Sequence, residues 1–125
     1  MTIIERLFHL QKKSPFQSLN LGELQTLASV AKIQNFSEKE IIFQENATAN
    51  RVLLPIQGNY RINNQEKSSI VGLNEVFSEK PFSNQIIAGP SGMTALAFSK
   101  NHLFTAFFEC PDIIIDFLSG ADLET

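Results

Sequence analysis

Between Ile41 and Phe98 the chain carries a series of short β-type runs, and their spacing limits the fold more than any other feature. Ile41-Ile42-Phe43, Val52-Leu53-Leu54, Tyr60-Arg61-Ile62 and Ser69-Ile70-Val71 are separated by Glu45–Asn50, Gln57-Gly58-Asn59 and Asn63–Lys67, all rich in turn residues. Gln85–Ala88 and Met93–Phe98 follow, divided by Gly89-Pro90-Ser91-Gly92. Seven or eight strands recurring every ~8–12 residues are too short for parallel βαβ units and indicate a sandwich or barrel.

Helical segments bracket this region. Ile3, Leu7, Phe8 and Leu10 fall on one face of a helix over residues 2–12, which Ser14-Pro15 ends because proline disfavours helical geometry in the residue before it. Asn20, with Glu23 three residues on, forms a capping box for a second helix with Leu24, Leu27, Ala28 and Ala31 on its buried face. Ser99 caps a helix over residues 100–109, and Pro111 starts a last short helix that Gly120 ends. With 125 residues and neither an internal repeat nor a linker, the expectation is one domain: helices over about 2–31, strands over about 33–99 and helices over about 100–119.

Composition excludes several functions. The net charge of −3 and the absence of any basic block beyond Lys12-Lys13 argue against nucleic-acid binding by this chain alone, since such binding depends on phosphate neutralisation. No apolar run approaches the roughly 20 residues of a membrane helix, and an acidic surface discourages anionic membranes. The first residues lack the pattern of a signal peptide, and the lone Cys110 suits a reducing compartment, so a cytoplasmic location is expected. No Walker loop, nucleophile elbow or Ser/His/Asp set appears, which argues against an enzyme. His9 and His102 lack partners at metal-ligand spacing. Cys110 reads as a small buried hydrophobe, and one cysteine cannot hold an iron–sulfur cluster.

The stretch GLNEVFSEKPFSNQIIA, Gly72–Ala88, looks built for a task. A glycine that opens a short helix exposes backbone N–H groups suited to an anion, yet the stretch has no arginine, and its one lysine precedes a proline.

Several motifs in order resemble the cyclic nucleotide-binding domain family, of the catabolite-activator effector type. They are Ser14-Pro15-Phe16-Gln17-Ser18-Leu19 followed by Glu23-Leu24 and Leu27-Ala28, then Glu40–Glu45 with an apolar strand closing on Gly58, and the helix of Phe104–Pro111. The likeness covers about residues 3–119. It implies a mainly β fold with helices at both ends, a jelly-roll β-roll or double-stranded β-helix. The family often has glycines where this chain has Lys39 and Asn46; the asparagine tolerates a left-handed backbone, whereas Lys39 suggests a differently shaped turn.

The resemblance also gives the Gly72–Ala88 stretch the position of the phosphate-binding cassette. There a Gly-Glu pair opens a short helix, and Pro-Arg plus a small residue closes it. The glutamate takes the ribose hydroxyl and the arginine pairs with the cyclic phosphate. Laid on this chain without a gap, Gly72, Pro81 and Ser83 keep the frame, with Glu75 and Asn84 alongside, while Leu73 and Phe82 stand at the glutamate and arginine positions. Hydrogen bonds to charged groups contribute about 1.5–3 kcal/mol each, so losing two implies a drop in affinity of roughly a hundredfold or more.

Lys80 lies two residues from the arginine position, and Arg51 and Arg61 are the other cations weighed as substitutes. Glu75 reads as a helix-surface carboxylate rather than a relocated ribose ligand. Leu73 and Phe82 either fill the old pocket or line an apolar pocket for a different small ligand. The sequence therefore points to a non-catalytic regulatory module without a cofactor, acting through its terminal helices on a protein partner or a second copy. The alternatives are the sensor part of a catabolite-activator-type regulator, or one part of a larger transporter or kinase-like regulator. The sensor reading is expected to fail if the native gene product ends at Thr125, because such regulators continue into a dimerisation helix and a DNA-reading element.

Overall fold

The computed structural model describes residues 2–12, 17 and 19–112. The chain gathers into two compact units, one of helices from both ends of the sequence (residues 1–31 and 98–125) and one of strands (residues 32–97). The segment Ser14-Pro15 and most of the last helix expected from Pro111 to Gly120 lie outside the described residues.

In the helical unit, α1 (Ile3–Gln11) starts at Thr2 and α2 (Leu21–Val30) at Asn20, each with a reciprocal capping box to the glutamate three residues on, Glu5 and Glu23. Both boxes satisfy N–H groups that the first turn of a helix leaves without partners. Helix α2 buries Leu24, Leu27 and Ala28 and packs against α1 and α4 (Lys100–Glu109). The Arg6 guanidinium donates to the Ala28 carbonyl at 3.3 Å, tying α1 to α2. Ser99 caps α4 through the amide of His102. Leu103, Ala106 and Phe107 form the buried stripe of α4, and Phe108 stands 87 % exposed.

The β unit is a mainly antiparallel sheet built from β1 (Lys32–Phe36), β2 (Ile41–Phe43), β3 (Arg51–Ile62), β4 (Gln65–Lys67) and β5 (Ile86–Ser99), with a short helix α3 (Leu73–Ser78) before β5. The strand order is β1-β5-β3-β4, with β2 also on β5. The outer half of β5 pairs with β1, Met93 opposite Phe36 and Ala97 opposite Lys32, while its inner half meets β2 at Ile86 and Ile87. Val52, Leu53, Leu54, Ile86, Ala88, Ala95 and Leu96 are buried along the two long strands.

Two expected turns are not turns. Gln57-Gly58-Asn59 lies inside β3 and Gly89–Gly92 inside β5, so runs expected to be separate strands fuse. The reason is that the chain bends at these glycines without leaving the ladder: Gly58 and Gly92 both sit at φ +75° and face each other. A Cβ on Gly58 would lie 2.2 Å from the Gly92 carbonyl oxygen, and one on Gly92 would lie 2.6 Å from the Phe36 carbonyl oxygen, so each bend excludes a side chain.

The structure also adds strands at both edges. β1 lies at the start of the region expected to hold strands, where no particular run was named, and β4 falls in a stretch expected to be a turn. The turn proper is Asn63-Asn64, both at positive φ (52° and 64°), a two-residue hairpin that sets Ile62 opposite Gln65. Ser69–Val71 contributes a single bridge, Val71 to Leu53. Lys39 takes the left-handed conformation at φ 63°, as Asn46 does at φ 67°.

Candidate functional site

The stretch from Gly72 folds as a glycine-capped short helix followed by a loop that leads into β5. Gly72 is the N-cap of α3 at φ +96°, and a Cβ there would meet the Arg51 carbonyl oxygen at 2.9 Å. Glycine therefore lets α3 start directly against β3, where the Val71–Leu53 backbone pair, 2.9 Å in both directions, fixes the approach. Leu73 and Val76 form the buried face of the helix, and Glu79, at φ 59°, ends it.

Beyond α3, Lys80, Pro81 and Ser83 are exposed and Asn84 half-buried, while Phe82 turns inward. Its backbone is held on both sides by the loop after β2: the Phe82 amide donates to the Ala47 carbonyl at 3.0 Å, and its carbonyl accepts from the Asn46 amide at 2.8 Å. The Phe82 ring stacks on Phe43 with centroids 4.2 Å apart and planes 21° from parallel. Leu73 is 5 % exposed and Phe82 2 %, so neither side chain faces open solvent.

Arg51, at the start of β3, completes the cluster. Its guanidinium carbon lies 5.2 Å from the Phe43 ring centroid and 5.9 Å from that of Phe36. One Nη donates weakly to the Ile42 carbonyl at 3.5 Å, and burial pushes the pKa of the group down.

Glu75 departs from a purely surface role. It is half-buried, and its charge, after burial itself, helps raise the pKa of Tyr60, whose hydroxyl lies 3.3 Å from Ser69 Oγ; that hydrogen bond acts in the opposite sense. Tyr60 is the chain's one tyrosine and there is no tryptophan, so phenolate absorbance reports on this group alone. Its native midpoint is expected above the ordinary value of about 10, returning there in denaturant. A folded pKa raised above the unfolded one means that this stabilisation is complete below about pH 10 and is lost as pH rises through the folded pKa. Equal native and denatured midpoints would remove this assignment.

Among the described residues, no three His, Cys, Asp or Glu side chains cluster to hold a metal, and no helix is long and apolar enough to cross a membrane. The residues expected from sequence thus split: Gly72, Leu73 and Phe82 come together, Glu75 is half-buried and its charge reaches Tyr60, and Pro81 and Ser83 lie exposed. What sequence reasoning missed is the role of Phe43 as the platform shared by Phe82 and Arg51, for which a lone aromatic in a short strand carries no signal.

No protein-family profile and no curated protein sequence matches this chain. Solved structures do match it. The N-terminal domain of a transcriptional regulator from Streptomyces coelicolor A3(2) superposes with a TM-score of 0.73 at 15 % identity over 90 % of this chain and 85 % of that one. The sensor domain of the transcriptional regulator DNR from Pseudomonas aeruginosa gives 0.74 at 17 % identity, over 94 % and 86 %. A candidate cyclic nucleotide binding protein from Ruegeria pomeroyi gives 0.77 at 14 % identity, over 96 % of this chain but 58 % of that one. The chain therefore has the β-roll fold seen in these domains.

Proposed function

We propose that this chain is a non-catalytic regulatory module of the cyclic nucleotide-binding type whose cassette is closed to cyclic AMP and cyclic GMP. The observation that carries this reading is Phe82: it stands where the resemblance places the phosphate-pairing arginine, and it is buried, stacked on Phe43 and tied at both backbone groups. A cyclic phosphate entering there would be desolvated against a phenyl ring without a cation in place of that arginine, which is unfavourable. Burial of Leu73 at the glutamate position supports the same reading and favours a filled pocket over an apolar cavity. The module then signals by repositioning its terminal helices against a protein partner or second copy in the cytoplasm, as a sensor piece of a transcription regulator would.

The test is thermal unfolding of the native chain with cyclic AMP and cyclic GMP. Any nucleotide at about a hundred times its Kd adds about 2.7 kcal/mol. The expected result is no shift with either nucleotide up to millimolar concentration, and a saturable rise with either one sinks the proposal. The reciprocal substitutions Leu73→Glu and Phe82→Arg are a poor test, because each places a charge in a buried site and threatens the fold itself.

A further inference from the structure

We propose that Arg51 is the anchoring cation of a small-oxyanion site on the β unit, at the start of β3 beside Phe36 and Phe43, which takes a carboxylate or phosphate group. A guanidinium carries five N–H donors in a planar fork. Here the rings of Phe36 and Phe43 attract the cation without accepting those donors, and among the described residues its only hydrogen bond is the 3.5 Å contact to Ile42. The Nε atom is buried and has no partner, and among the described residues no carboxylate pairs with Arg51.

A second arginine on the same strand shows the usual arrangement. Arg61 Nε is also buried without a hydrogen bond, but Arg61 stands directly opposite Glu66 in the β3–β4 ladder, where opposite charges are neighbours. Arg6 Nε is likewise buried without a hydrogen bond, and its guanidinium donates to the Ala28 carbonyl at 3.3 Å. The one hydrogen bond of Arg51, 3.5 Å to Ile42, is longer than the 3.3 Å bond of Arg6 and at the limit of a hydrogen bond, and burial pushes the pKa of Arg51 down. A planar oxyanion meeting the fork bidentately supplies what the fold leaves out.

Arg51 serves as a donor to an oxyanion whether or not the cassette admits a cyclic nucleotide, although the Phe43 ring that carries it also stacks on Phe82. The chain has three arginines, Arg6, Arg51 and Arg61, so three Nε–Hε signals in a nitrogen-15 spectrum report on it, and the spectrum of Arg51→Lys identifies the one in question. The native chain is titrated with sodium phosphate and with sodium acetate, against sodium chloride at matched ionic strength. The expected result is a saturable shift of the Arg51 signal with at least one oxyanion, while the other two stay near their chloride positions. The amide shifts of Phe36 and Phe43 that accompany binding should weaken at least tenfold in apparent affinity in Arg51→Lys. Whichever anion saturates at lower concentration identifies the carboxylate or phosphate source. An Arg51 signal that moves no further than in chloride, or three arginine signals that move alike, overturns the proposal and leaves the closed-cassette reading intact. If cyclic AMP instead stabilises the chain and shifts Arg51, the closed-cassette reading fails and the oxyanion site stands.

Discussion

Phe82→Ala is expected to lower the stability of the chain by about 3–5 kcal/mol, the range found when a buried phenyl ring is cut back to a methyl group. The ring is almost wholly buried and stacks on Phe43, and Phe43 in turn supports the Arg51 guanidinium. Removing it strips one side of that platform and leaves a cavity bounded by residues whose backbones are already fixed. The Phe82–Ala47 and Asn46–Phe82 bonds hold the loop after β2 in place, so collapse into the gap is restricted. Phe82→Leu, which refills most of the volume, should recover more than half of the loss. Urea unfolding of the two variants checks this, and a cost for Phe82→Ala below about 1 kcal/mol would show that the ring is not part of the core. The result also bears on function, because a ring that contributes this much to folding cannot be displaced cheaply to admit a phosphate.

Gly58→Ala is the second large effect, expected at about 2–5 kcal/mol. A residue with a Cβ at φ +75° costs roughly 1–2 kcal/mol by itself. The remainder comes from steric conflict: the new methyl would lie 2.2 Å from the Gly92 carbonyl oxygen and 3.1 Å from Met93 Cα, both backbone atoms that move only if β5 moves. Gly22→Ala is the control. Gly22 lies in the first turn of α2, and its added methyl meets only Asn20 Oδ1 at 3.5 Å, so the same change there should be neutral or stabilising by up to about 1 kcal/mol. Equal effects at the two positions would contradict the close contact of the two bends.

The legible parts of the sequence were those whose cause is local. The Asn20–Glu23 box and the Ser99 cap are read from a few neighbouring residues, and both helices begin where those residues place them. Ile41–Phe43 is an apolar run bounded by turn residues, and β2 has those bounds. By contrast β1, Lys32–Phe36, is exposed at most of its positions and shows no clean alternation, while β4 is Gln-Glu-Lys, exposed throughout. Such edge strands are defined by the partner ladder and not by their own residues.

For the candidate site, the sequence alone pointed to the type of fold and singled out Gly72, Leu73 and Phe82, which the structure brings together. Both readings follow from residue identity and order. Whether Gly58 and Gly92 make turns or bends was decided only in three dimensions, because a Cβ on Gly58 would meet the Gly92 carbonyl oxygen and one on Gly92 the Phe36 carbonyl oxygen. The tertiary structure likewise decided that Phe82 is a core ring on Phe43, and that Arg51 lies on the same ring without a carboxylate partner among the described residues. The physical reason is one of range. Capping and turn chemistry act over a few residues of chain, whereas stacking, desolvation and backbone contact depend on which distant segments the fold brings within a few ångströms.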